Sequence, residues 1–189
     1  MRRGVTLLLV SSFLACAEPP SKEMHQAQGA IDAAKSAGAE EFAATELTAA
    51  IDALTRSEAA VTERDYRQAL NYAIESRERA QAAAKAAVNA RARAHGGAEA
   101  LLAEATTLLA LARARLRDAD AARVPRRATQ DARQAIDDAQ TSVQNARTAV
   151  NSNDYERARK TLDGVSARIQ RAISQIADAI DPAAARRRR

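Results

Sequence analysis

Apolar residues recur along this chain at steps of three and four, the spacing that gathers them on one face of an α-helix. Met24, Ala27, Ile31 and Ala34 form a first stripe, which Gly38 ends. Leu47, Ile51, Leu54 and Val61 share a face of a second helix. A third stripe runs through Tyr66, Ala69, Ala73, Ala80, Ala84 and Ala87, and the adjacent glycines of His95-Gly96-Gly97 predict a turn after it. Leu101, Ala105, Leu108, Ala112 and Ala119 then line a fourth helix. Val124-Pro125 marks a boundary, because the residue before a proline avoids helical backbone while proline suits a first helical turn. Ile136, Ala139, Val143, Ala146 and Val150 keep a three-four alternation in the fifth helix. The longest run, Tyr155, Ala158, Leu162, Val165, Ile169, Ala172, Ile176 and Ala179, predicts one helix that Pro182 stops. Such sustained spacing implies coiled-coil-like packing at shallow crossing angles of about 20 degrees.

The pattern repeats. Glu63-Arg64-Asp65-Tyr66-Arg67-Gln68-Ala69 returns as Ser152-Asn153-Asp154-Tyr155-Glu156-Arg157-Ala158, with Asp65 and Tyr66 reproduced 89 residues later. At that offset Leu47 aligns with Ile136, Leu54 with Val143 and Val61 with Val150, so the turn and the apolar positions agree together. The expected fold is all-α: long alanine-rich helices in two related three-helix, coiled-coil-like units. Each Asp-Tyr pair has a structural account, the aspartate accepting a bond from free amides of a helix start and the tyrosine folding over the hairpin.

Composition changes what kind of core this can be. The chain of 189 residues is 47% hydrophobic and 28% charged, a globular balance, yet 50 of its residues are alanine and aromatics make up 3%. Alanine favours helix but buries only a methyl group, so thin helices approaching closely through small side chains fit better than a thick core. The net charge of +5 is concentrated at the ends. With Arg2, Arg3 and Arg186 to Arg189 set aside, 23 of the 29 basic residues remain against 24 acidic ones. A nearly neutral body without interleaved aromatics is not the pattern of a nucleic-acid binder.

The first twenty residues have the layout of a secretory leader: the positive start Met1-Arg2-Arg3, an apolar run from Gly4 to Leu14, and small Ala15 before a cut. The run is shorter than the roughly twenty apolar residues a membrane-crossing helix needs. The only cysteine, Cys16, sits at the cut, and one thiol cannot form an internal disulfide. Phe13-Leu14-Ala15-Cys16 resembles the lipobox of bacterial lipoproteins, with Phe13 where leucine is usual. That resemblance implies a diacylglyceryl group on Cys16, which becomes the first residue of the mature chain; ordinary leader cleavage and an uncleaved anchor remain the alternatives. Two or three acyl chains hold a protein on a membrane essentially permanently, whereas one does so marginally. In the sorting rule of well-studied lipoproteins an aspartate after the cysteine favours the inner membrane, and Ala17 stands there instead, so the resemblance implies the outer membrane, facing the periplasm. The expected organisation is a leader at 1–15, a lipidated linker at 16–22, helical units at 23–95 and 98–181, and a disordered arginine tail at 182–189.

Ala33-Ala34-Lys35-Ser36-Ala37-Gly38-Ala39, then Phe42-Ala43, Leu47 followed by regularly spaced alanines, and Asp65-Tyr66 with Ala69 and Ala73 together resemble the alanine-rich helical family catalogued as domain of unknown function 4398. The resemblance covers roughly residues 24–90, and more weakly the second unit. It implies a helical bundle in a bacterial envelope protein, often a lipoprotein. Some members carry the module ahead of a peptidoglycan-binding domain; these residues contain no such domain, so a wall-binding role is not carried over.

Little in the chain is equipped for chemistry. The two histidines, His25 and His95, read as exposed spacers on or beside helices. Phosphate-binding glycine loops, His-Glu-x-x-His pairs and cysteine clusters for zinc are absent from the sequence, and Glu40-Glu41 and Asp137-Asp138 suit solvated helix faces. No catalytic residue, metal ligand or cofactor site is expected, and the chain is not read as an enzyme. Arg186, Arg187, Arg188 and Arg189 beyond Pro182 form a solvated end or a contact to an anionic surface. The expected function is a lipid-anchored periplasmic structural or interaction protein of the cell envelope, bound to the membrane through Cys16 and meeting an envelope protein or a copy of itself. The competing class is a helical binding module for a lipid, a peptide or a cell-wall component.

Overall fold

The computed structural model describes residues 18–181, and all regular structure among them is helical. In chain order the helices are α1 (Ser21–Ser36), α2 (Ala39–Phe42), α3 (Ala44–Thr62), α4 (Tyr66–Ala121), a 3-10 turn (Arg126–Ala128), α5 (Gln130–Asn151), α6 (Tyr155–Leu162) and α7 (Val165–Ile180). The chain divides into two compact units, Met1–Val88 and Asn89–Arg189, and α4 contributes residues to both.

In the first unit α1, α3 and the opening of α4 pack together. Ala27, Ile31 and Ala34 of α1 join Leu47, Ala50 and Leu54 of α3 and Ala80, Ala83 and Ala87 of α4 in one buried cluster. The α3–α4 hairpin closes on a seam of small residues, with Ala50, Ala53, Ser57 and Ala60 facing Ala69, Ala73, Ser76 and Ala80, all buried. Two hydroxyls cross this seam reciprocally: Ser57 Oγ donates to Ala69 O at 2.7 Å, and Ser76 Oγ donates to Ala50 O at 2.8 Å. Only small side chains permit a hydroxyl on one helix to reach the backbone of the next. The seam displaces part of the expected α3 face, leaving Ile51 38% exposed while Leu47 and Leu54 are buried as anticipated.

In the second unit α5 packs against both α6 and α7. Ala132, Ile136, Ala139, Val143 and Ala146 of α5 are buried, as are Ala158 and Leu162 of α6, Val165, Ile169, Ala172 and Ile176 of α7, and Ala98, Ala105, Ala112 and Ala119 of α4. The α4 alanines recur every seven residues, a single seam position kept small. The boundary expected at Val124-Pro125 lies between the end of α4 and the 3-10 turn. There Asp120 pairs with Arg133, whose Nε also donates to Thr129 Oγ1 at 3.2 Å.

Two expected helix boundaries also need correction. His95-Gly96-Gly97 makes no turn; all three residues lie within α4, which runs unbroken for 56 residues. Each glycine costs about 1 kcal/mol of helix stability relative to alanine. Alanine-rich helix on both sides outweighs that cost, because extending a nucleated helix is easier than stopping and restarting it. Conversely, the run from Tyr155 to Ala179 is not one helix, since Asp163 and Gly164 separate α6 from α7. Gly164 has φ +66°, a left-handed conformation that glycine adopts without steric penalty. The step from Leu162 to Val165 preserves the three-residue spacing across the break, which is why the periodicity conceals it.

The repeat is written in the backbone. At the end of α3, Glu63 N bonds Ala59 O, Arg64 N bonds Val61 O and Asp65 N bonds Ala60 O. At the end of α5, Ser152 N bonds Thr148 O, Asn153 N bonds Val150 O and Asp154 N bonds Ala149 O, the same three bonds 89 residues on. Arg64 and Asn153 both turn left-handed, at φ 62° and 61°. Asp65 Oδ1 then accepts from Gln68 N and Asp154 Oδ1 from Arg157 N, each at 3.0 Å, so both aspartates cap the following helix.

Candidate functional site

Cys16 and Arg186 to Arg189, the residues singled out from sequence, lie outside the described residues. Within those residues, chemistry-bearing side chains fall into a few groups. In the first unit Arg56 of α3 lies over the Tyr72 ring of α4, 4.9 Å from its centroid. Glu75 holds Arg79 at 2.8 Å and Arg56 at 3.5 Å. The group spans α3 and α4 on a solvated face, where such pairs contribute about 0–1 kcal/mol each. It accounts for itself as a clip on the hairpin.

A shallow cleft of about 400 Å³ lies between the start of α1 and the end of α3, lined by Met24, His25, Leu54, Glu58 and Val61 among others. In the second unit a depression of about 460 Å³ sits at the α6–α7 joint, with Glu104, Arg159, Lys160, Asp163 and Gly164 at its edge. Beside it, Glu156 is held below the ordinary carboxylate range, chiefly by its hydrogen bond from Arg159 and further by the Lys160 charge. The same bond raises Arg159. These groups are solvated, so the pairing orders the exposed face of α6 rather than building a charged pocket.

His95 is not a bare spacer. Its ring meets Tyr155 edge-on at 5.2 Å, and its Nε2 lies 3.3 Å from Glu99. Tyr155 is only 7% exposed, and its hydroxyl donates to Asn153 Oδ1 at 2.8 Å. The second Asp-Tyr turn is thus capped by its tyrosine, while Tyr66, with Arg64 in place of that asparagine, is half-buried. His25 and His95 belong to different units. The buried hydroxyls of Ser57, Ser76 and Thr129 are each bonded to backbone carbonyls. Among the described residues, no group of three or more His, Cys, Asp or Glu side chains converges on a metal-sized space. None of the described helices is long and apolar enough to cross a membrane.

One feature of the described surface went unread in the sequence: a cluster of arginines around the α4–α5 turn. Between Arg113 and Arg133 seven arginines stand against three aspartates. Ion pairs take up Arg115 with Asp118 and Arg133 with Asp120, while Arg117, Arg123, Arg126 and Arg127 are exposed and enter no ion pair among the described residues. A local count of charge would have found it; the near-neutral total of the body hid it.

Residues 22–98 match the model of the family described as a domain of unknown function, DUF4398. This agrees with the resemblance carried by the Gly38 turn and the Asp65-Tyr66 turn, and it covers α1 to α3 and α4 as far as Ala98. No curated protein and no solved structure matches the chain.

Proposed function

We propose that the chain is a lipid-anchored structural or docking protein of the bacterial cell envelope, held by acyl chains on Cys16 at the periplasmic face of the outer membrane, and acting by contact instead of catalysis. The observation that carries this reading is Leu14-Ala15-Cys16 directly after a positive start and a short apolar run. The body behind it supports a contact role: close-packed helices whose buried hydroxyls are committed to backbone carbonyls. Aromatic anchors, which dominate heterologous interfaces, make up 3% of residues, so helix-against-helix association with an envelope partner or a second copy suits this composition.

The reading is tested by feeding cells a labelled fatty acid and comparing wild type with Cys16→Ala after separating inner and outer membranes. Label in the outer-membrane fraction of wild type, lost in the variant, is expected; an unlabelled wild-type chain in the soluble fraction overturns it. A second reading, a module that binds a small apolar ligand, is favoured by the cleft beside Met24, Leu54 and Val61. Native mass spectrometry showing a stoichiometric ligand that Met24→Glu expels would place this second reading first.

A further inference from the structure

The geometry points to the α4–α5 end of the second unit as a docking surface for an anionic phospholipid membrane. Arg113 bonds Gln140 and Asp120 pairs with Arg133, so α5 runs back along α4; Tyr155 meets His95, and Leu162 and Gly164 line one depression with Leu101 and Glu104, so α6 and α7 follow the direction of α4 and the C-terminal end of α7 lies towards the α4–α5 turn. Arg117 from the last turns of α4 and Arg123, Arg126 and Arg127 from the connection all project at this end, exposed and without ion pairs among the described residues. Asp178 and Asp181, on the same end, are each engaged in an interaction of their own.

The arginines are presented on a stiff frame. Ala122 N bonds Asp118 O, Arg123 N bonds Asp120 O and Val124 N bonds Ala119 O, the bonding that closes the other two hairpins. Arg123 is left-handed at φ 58°, and the Asp120–Arg133 pair ties the end of α4 to the start of α5. A frame already ordered loses little conformational freedom when a ligand binds. Guanidinium forks match phosphate oxygens with two parallel bonds, and arginine is more weakly hydrated than lysine, so it leaves water more readily.

Apolar surface among the charges selects the membrane over a soluble polyanion. Pro125 is exposed, Val124 is half-buried and Ile180 is 38% exposed at the same end. A rim of cations around small apolar groups suits the boundary between headgroups and acyl chains, where both kinds of side chain are satisfied. A charged polymer in water would use only the arginines. This surface stands independently of the anchor on Cys16, and the experiment reads it independently.

Because Cys16 is the only cysteine, the full chain carrying Cys16→Ser and Ala128→Cys accepts one environment-sensitive fluorophore, on the exposed face of the turn. A blue-shifted, brighter emission is expected with vesicles containing roughly one third phosphatidylglycerol and not with pure phosphatidylcholine, and added salt should weaken it. Each arginine near an anionic surface contributes about five-fold to partitioning, so Arg123→Gln, Arg126→Gln and Arg127→Gln together should lower it about a hundred-fold at unchanged helical circular dichroism. Single Arg126→Gln and Arg127→Gln chains, each about five-fold weaker, carry the same test if the triple variant folds poorly. Equal response to both lipids, or undiminished binding by the glutamine variants, overturns the inference. A response to soluble polyglutamate but not to anionic vesicles also overturns it, giving the surface to a polymer.

Discussion

Ser57 and Ser76 show how small a side chain must be to do its work here. Each is fully buried, and each hydroxyl reaches a carbonyl on the facing helix. Alanine at either position would remove one such bond, a loss of about 1 kcal/mol. Leucine would instead force the helices apart: Ser57→Leu is expected to destabilise the protein by about 1–3 kcal/mol, read as a lower urea midpoint. A neutral result would mean that the seam is loosely packed. The left-handed turn residues invite the opposite change. Arg64 bears a Cβ at φ 62°, a conformation costing roughly 1 kcal/mol that glycine does not incur, so Arg64→Gly should raise the thermal midpoint. Gly164→Ala, at φ +66°, should lower it by a similar energetic step of about 1 kcal/mol.

At the scale of an element, α4 is the informative case. Gly96 and Gly97 lie in mid-helix, and a Cβ built on either meets nothing within 4 Å. No packing requires them, so Gly96→Ala with Gly97→Ala should stabilise the helix by about 2 kcal/mol and slow amide exchange from Ala94 to Ala98; unchanged exchange would show that the segment is not a weak point of α4. Short α6 carries paired charges on its exposed face. Glu156 is depressed in the folded chain, mainly by the Arg159 hydrogen bond. A depressed carboxylate stabilises the fold above its unfolded-state titration range, and that contribution disappears as pH falls through the lower folded-state range. Glu156→Gln should therefore flatten the acid limb of the stability–pH curve in that window. A parallel displacement of the whole curve would assign the residue a different role.

At the scale of the whole molecule, an alanine-built interior predicts an unusual unfolding signature. Among the described residues the 33 buried hydrophobic ones are mostly alanine, so little apolar area per residue is exposed on unfolding. Calorimetry should give a heat-capacity change per residue below the roughly 12–15 cal/mol/K of ordinary globular proteins. A value within that range would require a bulkier hydrophobic core than this one. The same composition leaves few bulky apolar side chains with which either unit could line an enclosed cavity.

The sequence by itself determined the helical class, the position of most seams, the Gly38 and Val124-Pro125 boundaries and the internal repeat. These follow from local propensity and from spacing along one helix, which need no knowledge of neighbours. It also carried the family resemblance, because the residues of the Gly38 and Asp65-Tyr66 turns are contiguous. Tertiary structure decided what depends on competition between helices: that Ser57 rather than Ile51 faces inward, that α4 continues through Gly96 and Gly97, and that α6 ends at Asp163 without a lapse in its apolar rhythm. It also decided which arginines collect at one end. A helix-sized period cannot record which of two small-residue faces a partner will cover, nor whether neighbouring turns outweigh two glycines, because both are settled by energies summed over residues distant in the chain.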